Sequence, residues 1–234
     1  MSFIVTYNGQ TDRSIGAHAT ARPSVPAPVR TVTQYGIKGR DGNLYERDGT
    51  VNDISIPVSF GFYKLDPNDF GTQYRALKKW LFSDGNGRLS FNDDAGMFFK
   101  VKNVIIEDSE RVSRRIGLVR VLFVCDGYTY LTSGLTAITP SGTIANAYAT
   151  SHPKLEISGN GTCEITMNNK VFTVTVSTKA YIDTDLMITL NNDSAWANTT
   201  VSGDYETLWL KPGSNSFAIT SGFTCSLTPN WRCL

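Results

Sequence analysis

The sequence predicts a mostly β protein with one helix, arranged as an α+β N-terminal domain followed by a C-terminal β-sandwich. Apolar and polar residues alternate over many short segments, which is typical of strands that are buried on one face. Residues 66–82 show instead the apolar spacing that indicates an amphipathic helix. From residue 152 onward, turn signals separate alternating segments at intervals of about 8–12 residues, as expected for a sandwich.

The domain boundaries follow from this change in pattern. We expect an N-terminal domain over residues 1–131, a linker rich in Ser, Thr and Gly over residues 132–142, and the sandwich over residues 143–234. A chain of 234 residues is long enough for two domains of ordinary size. Its composition, with 41% hydrophobic and 18% charged residues, excludes a disordered chain.

The N-terminal domain begins with a proline-rich segment and a series of hairpins. Prolines are closely spaced within residues 10–30, which indicates either a surface loop or an extended arm that lies across a neighbouring subunit. In the segment that follows, glycines and aspartates predict turns at residues 39–42 and at Asp48-Gly49. These turns separate the predicted strands Val32–Lys38, Asn43–Tyr45 and Ile54–Phe60.

Pro57 lies in the middle of the last of these strands. Proline has no N–H to donate to a neighbouring strand, so we expect an edge strand or a bulge there. The helix that follows has Asp66 as its predicted N-cap and Pro67 as its first helical residue. Its predicted apolar face consists of Phe70, Tyr74, Leu77 and Leu81.

The strand Ile116–Cys125 is apolar on both faces. A strand of this kind must be covered on both sides. The one helix of the domain covers one side of the sheet. The other side needs a second sheet or another subunit.

Side chains that carry catalysis or bind metals do not form any recognisable pattern. The four cysteines include no C-x-x-C pair, and we expect them to be reduced thiols. The two histidines, His18 and His152, have no nucleophile motif nearby, and the aspartate pairs 93/94 and 183/185 are typical of turns. We therefore expect no enzymatic activity, no catalytic residues, no cofactor and no metal.

Charge and hydropathy also limit the partners. The net charge of +1 gives no general attraction to nucleic acids, so no nucleic-acid specificity is expected. No apolar run approaches the roughly 18 residues of a membrane helix, and the N-terminus lacks the pattern of a signal peptide. We expect no membrane insertion and assembly in the cytosol.

Several motifs resemble one family. The run I-x-G-R-D-G-x-L-Y, then ISIPVSF, then a capped helix that ends in Trp-Leu, resembles the N-terminal domain of the distal tail proteins of long-tailed phages. Farther on, YIDTD, a loop with Trp196, SGDYETLWLKPGSNSFAI and the terminal TPNWR are similar to the galectin-like C-terminal domain of the same family. The resemblance covers essentially the whole chain, in the family's domain order.

The resemblance implies a structural protein of the virion tail tip, assembled in the host cytoplasm. Its N-terminal domain would close into a homo-oligomeric ring, a hexamer, and its galectin-like β-sandwich would project outward. The ring would join the major tail tube protein to the tail-associated tip protein or baseplate, with the tape measure protein or a receptor-binding protein as further partners. The alternative is a carbohydrate-binding adhesin that uses the C-terminal sandwich for host attachment.

Four residues are candidates for contacts with partners. We assign Pro57, Arg40 and Phe98 to a candidate assembly surface of the N-terminal domain. Trp209 is out of phase with the apolar Leu208 and Leu210 and is therefore expected to point outward. As an exposed aromatic contact it would bind sugar or protein; the alternative is that it packs under a loop.

Overall fold

The computed structural model describes residues 3–64 and 66–234, apart from the side chains of Asp48 and Pro67. The chain divides into two compact units: the first ends at Thr129, and the second runs from Tyr130 to Cys233. Strands dominate both units, and the described residues contain one α-helix, in the first unit. The predicted fold class, mostly β with one helix, is confirmed.

The first unit contains an antiparallel sheet, whose strands differ in length, and a separate hairpin. The main sheet has the strand order β2-β1-β7-β8-β9-β6-β3, and the hairpin consists of β4 and β5. The strands are β1 Val5–Tyr7, β2 Gln10–Thr11, β3 His18–Ala19, β4 Arg30–Gly36, β5 Asn43–Val51, β6 Ile54–Tyr63, β7 Arg88–Phe91, β8 Met97–Glu110 and β9 Ile116–Leu131.

The pairing of β6 with β9 forms the centre of this unit. It is an uninterrupted antiparallel ladder from Ile54–Cys125 to Tyr63–Ile116. One face of the ladder, the inner face, is fully buried and carries alternate side chains from both strands. They are Ile54, Ile56, Val58, Phe60 and Phe62 of β6, and Val119, Val121, Phe123 and Cys125 of β9.

The helix α1, Phe70–Leu81, covers this inner face. Asp66 accepts a hydrogen bond from the N–H of Asn68 at 2.8 Å and caps a short 3-10 turn, whereas the α-helix itself begins later than predicted, at Phe70. The predicted face packs against the core: Leu77 and Leu81 are buried, and Phe70 and Tyr74 are partly buried. Trp80 joins this face, since its indole N–H donates to the Tyr7 carbonyl oxygen and its ring packs on Phe60.

The predicted turn at Asp48-Gly49 is absent, because both residues lie inside β5. The register between β4 and β5 shifts there: Val32 pairs with Arg47, but Arg30 pairs with Val51. Gly49 has a φ of 77°, a conformation that glycine adopts without strain and that suits the irregular position of a bulge. The Asp-Gly pair therefore marks a bulge in β5 rather than a turn between two strands.

The second unit is a sandwich built around one long hairpin. Its strands are β10 Gly142–Asn146, β11 Lys154–Met167, β12 Lys170–Asp183, β13 Ile188–Asn191, β14 Val201–Ser202, β15 Gly213–Ile219, β16 Thr224–Thr228 and β17 Arg232–Cys233. The hairpin β11–β12 pairs along its whole length, through a turn at Asn168 and Asn169 that both adopt positive φ.

The two halves of this hairpin pair with different strands. The half with residues 154–158 of β11 pairs with β16, and the opposite part of β12 pairs with β13. The half near the turn pairs with β15 and β14. Between the halves, Gly161 and Thr178 have φ values of 109° and 99°, so the hairpin is irregular between its two sets of partner strands. Both halves contribute to one apolar core that includes Ile157, Ile165 and Phe172.

The segment 132–142, predicted as a linker, is bonded to the rest of the second unit. It contains a 3-10 turn, Thr132–Leu135, and the Gly134 carbonyl oxygen accepts from the N–H of Asn230 at 2.8 Å. Ile138 exchanges two backbone hydrogen bonds of 2.8 Å with Leu227. The predicted domain boundaries, at residues 131 and 143, remain a prediction, which can be tested by comparing fragments of the chain.

We predict that a fragment of residues 130–234 is more stable than one of residues 143–234, by about 3 kcal/mol. The shorter fragment loses several backbone hydrogen bonds, and each contributes about 1 kcal/mol. Urea unfolding of the two fragments measures the difference. Equal midpoints would show that residues 130–142 act as a mere linker.

Three of the four thiols lie in the cores. Burial raises the pKa of Cys125 and of Cys225 to about 12, and that of Cys163 to about 11. Cys233 is half-buried. The native protein therefore keeps thiol protons at a pH at which the unfolded chain, with an ordinary cysteine pKa near 9.0, has begun to lose them.

We predict that the unfolding free energy falls as the pH rises from about 9 towards 12, since the unfolded state then binds fewer protons than the native state. Cys225→Ala should show a shallower fall than the wild type in urea midpoints measured from pH 8 to pH 10.5. Cys233→Ala, which leaves the three buried thiols in place, is the control. If Cys225→Ala followed the wild-type slope, thiol burial would not be the cause.

Candidate assembly surface

The hairpin β4–β5 has little cover from the rest of the first unit. Among the described residues its two strands pair only with each other. The side chains of Val32, Tyr35, Leu44 and Tyr45 are 39–58% exposed. A two-stranded sheet of this kind is marginally stable in water, so the hairpin is a surface that a partner would stabilise.

Both faces of the hairpin carry apolar side chains. Tyr35 lies directly opposite Leu44, which places this pair on one face. Tyr45 is one residue farther along the strand and therefore belongs to the other face, together with Val32. A partner that covers the hairpin would thus gain apolar contacts on either side.

Arg40 lies at the tip of this hairpin. Its backbone N–H donates to the Ile37 carbonyl oxygen at 3.1 Å, within the predicted turn, and the residue is exposed. At the other end, the Asn52 N–H donates to the Val29 carbonyl oxygen at 2.8 Å and closes the base of the hairpin. Arg40 therefore lies at the tip of the β4–β5 hairpin, at the end opposite the closed base.

Pro57 belongs to a second uncovered surface, the side of the β6–β9 ladder that faces away from α1. We call it the outer face. Pro57 is exposed and lies directly opposite Leu122, which is half-buried, as are Leu118 and Val124. The short strand β3 pairs with β6 only at Phe60 and Gly61, so the part of β6 that contains Pro57 has no partner strand on that side among the described residues. The outer face consists of Ser55, Pro57, Ser59, Gly61, Leu118, Arg120, Leu122 and Val124.

The assignment of Phe98 to a surface is wrong. Its side chain is 4% exposed, and the Arg88 guanidinium lies 5.3 Å from the ring centroid. Phe98 and Phe99 are both buried at the start of β8, although a regular strand would point neighbouring side chains to opposite sides. Both sides of the sheet are therefore covered at this point, which alternation alone does not reveal.

Trp209 is half-buried rather than exposed. Its ring stacks on His152 with 4.3 Å between ring centroids, and its indole N–H donates to the Thr184 carbonyl oxygen at 3.3 Å. Among the described aromatic residues of the second unit, Trp196 is the most exposed, at 73%. Trp196 occurs in a loop, where sequence periodicity gives no signal for exposure. A contact role for Trp209 stays a prediction.

His152 and Asp185 form a pair whose geometry is like that of an acid–base dyad. Nδ1 of His152 lies 2.7 Å from Oδ1 of Asp185, and Nε2 lies 2.9 Å from Nη2 of Arg232. The guanidinium can only donate, so it occupies the nitrogen that would have to accept a proton from a nucleophile. The hydrogen bonds among Asp185, His152 and Arg232 therefore hold the end of the chain against the sheet. Among the described residues, no group of three or more His, Cys, Asp or Glu side chains could hold a metal ion.

No family model matches the sequence, and no curated protein matches it either. Among the described residues, no helix combines the length and the apolar character needed to cross a membrane.

A solved structure has the same fold. It is the crystal structure of the SPP1 Dit protein (gp 19.1), described as a paradigm of the hub adsorption apparatus in phages that infect Gram-positive bacteria. The match covers 100% of both chains, with a TM-score of 0.66 and 14% sequence identity. The resemblance to distal tail proteins is thereby confirmed at the level of the fold: over its whole length, this chain has a fold similar to that of SPP1 Dit.

Proposed function

We propose that the protein is a structural hub at the distal end of a phage tail, which assembles into a closed ring of six copies through its first unit. The full-length match to a hub protein supports the tail role. The observation that carries the assembly is the uncovered apolar surface of the first unit, on the hairpin and on the outer face.

The outer face supplies the strongest physical argument. Leu118, Leu122 and Val124 alternate with fully buried residues along β9, yet each stays half-buried in the single chain. Arg120, in the middle of this row, is exposed and brings a charge to the surface. A row of aliphatic side chains around one charge is typical of a surface that is covered by a partner and still soluble without it.

A closed ring satisfies both surfaces of every copy. In a cyclic assembly the hairpin of one chain meets the body of the next, and the contact repeats until no open end remains. The unpaired part of β6 near Pro57 is then protected as well, because bare sheet edges otherwise attract further strands. The physical argument requires closure, and the number six comes from the resemblance to distal tail proteins.

The same proposal assigns the partners and the place of action. The ring belongs to the virion tail tip and assembles in the host cytoplasm. It joins the major tail tube protein on one side to the tail-associated tip protein or baseplate on the other, and the tape measure protein or a receptor-binding protein are further partners. The role is structural and needs neither catalysis nor a cofactor.

The adhesin remains the second candidate, because the second unit carries an open tryptophan. Trp196 is far more exposed than a side chain of its size usually is in a sandwich. A structural hub does not require this exposure. The two roles are compatible in one chain, since one surface lies in the first unit and the other in the second.

The expected mass of the wild-type assembly is about six times the 25.7 kDa of one chain. We predict that Leu122→Arg gives folded monomers, since it adds an unpaired charge to the outer face without entering the core. Tyr45→Asp should weaken the ring in the same way through the hairpin. Multi-angle light scattering over a range of concentrations measures the masses, and circular dichroism checks folding.

The matched control is Val171→Arg, which places the same charge as Leu122→Arg at an aliphatic position on a strand of the second unit, where Val171 is 51% exposed. It should assemble like the wild type. If Leu122→Arg and Tyr45→Asp both kept the wild-type mass, neither surface would be the ring contact. A monomeric wild type at every concentration would remove the support for self-assembly.

A further inference from the structure

Trp196 is the most exposed large apolar residue among those described, and the chain holds it in a defined position. The backbone on both sides is fixed: the Asn191 N–H donates to the Ala195 carbonyl oxygen at 2.9 Å, and the Ala197 N–H donates to the Thr189 carbonyl oxygen at 2.8 Å. The Asn191 side chain accepts from the N–H groups of Asp193 and Ala195 and braces the turn between them. The indole is therefore presented by a rigid support, which lowers the entropic cost of binding a ligand.

The strand pairing places Trp196 at one end of a row of side chains on a single sheet face. Trp196 lies opposite Leu190, Leu190 opposite Tyr181, Tyr181 opposite Glu156, and Glu156 opposite Ser226. Directly opposed residues of antiparallel strands point to the same side. At about 4.8 Å between neighbouring strands, the row extends over about 19 Å.

Two clefts lie along this row. The smaller one, of about 180 Å³, is bordered by Trp196 and by the polar side chains of Thr175, Ser177, Asn191 and Thr200. The larger one, of about 580 Å³, is lined by Tyr181, Ser226 and the ion pair Lys154–Asp183, and by apolar side chains that include Leu186 and Ile188. Leu190 borders both clefts, so the two clefts are neighbours on the sheet, and we refer to them together as the groove.

The charges in the groove are balanced. Lys154 lies 2.7 Å from Asp183, and Lys179 lies 2.5 Å from Glu156. Each ammonium group already faces a carboxylate, so the groove offers little net positive charge to a phosphate polymer. Carboxylates, ammonium groups and hydroxyls still supply both acceptors and donors for a ligand with many hydroxyl groups.

The chemistry of the row favours a sugar over a protein partner. A protein interface surrounds its aromatic anchor with apolar side chains and excludes charge from its centre. Here the residues after Leu190 and Tyr181 are a carboxylate and a hydroxyl, with ion pairs beside them. An open aromatic ring beside a cleft bordered by the hydroxyl groups of Thr175, Ser177 and Thr200 suits a sugar ring, whose C–H face packs on the indole while its hydroxyls bond to the cleft.

We infer that this groove binds a neutral saccharide chain of several hexose or N-acetylhexosamine units, with one sugar ring stacked on Trp196. The inference gives the adhesin role a defined site in the second unit. It does not depend on ring formation through the first unit, because none of the groove residues belongs to that unit.

The test is binding of the full-length protein to neutral oligosaccharides of at least four hexose or N-acetylhexosamine units, measured by calorimetry. Binding of polyglycerol phosphate is measured in the same way, as the comparison with an anionic polymer. We expect a neutral oligosaccharide to bind, Trp196→Ala to weaken it at least tenfold, and Glu156→Gln to weaken it less. Tyr148→Ala, which removes an aromatic ring that is 38% exposed and does not line the groove, should bind like the wild type.

Three results would overturn the inference. The first is that no neutral oligosaccharide binds, or that only polyglycerol phosphate does. The second is that Trp196→Ala keeps the wild-type affinity. The third is that Trp196→Ala changes the oligomeric mass, because Trp196 would then be a contact between protein chains; an unchanged mass together with lost sugar binding supports the saccharide site and leaves the ring proposal as it stands.

Discussion

The antiparallel ladder between β6 and β9 is the constraint on which the first unit depends. Its inner face must be apolar at every second residue, because α1 and the neighbouring strands close over it. The outer face then receives the remaining residues of the same two strands, among them Pro57, Leu122 and Val124. A single helix cannot cover both faces, so the pairing that forms the core also leaves the outer face without a covering element.

The second unit solves the same problem within one chain. Its long hairpin is irregular near Gly161 and Thr178, and β11 and β12 contribute apolar side chains on both sides of this point. The apolar residues of both halves meet in one core, and no further subunit is needed to bury them. What remains outside includes a sheet face with two ion pairs and the exposed Trp196.

Sequence periodicity predicted the strands and the helix well, because these follow from apolar spacing alone. Asp48-Gly49 was misread as a turn, since glycine with positive φ serves bulges as well as turns. Phe98 was assigned to a surface because alternation does not show that both sides of β8 are covered there, and the Arg88 side chain lies over its ring. The half-buried state of Trp209 depends on His152, which is distant in sequence. The saccharide groove arises from the register of five chain segments, which no local pattern contains.

The central claim is that the first unit closes into a ring that joins other parts of a phage tail. Electron microscopy of the purified full-length protein tests it most directly, because class averages reveal symmetry and closure in one image. The account predicts closed rings with six-fold symmetry and a central opening. Monomers alone, or open chains without a closing contact, would contradict it.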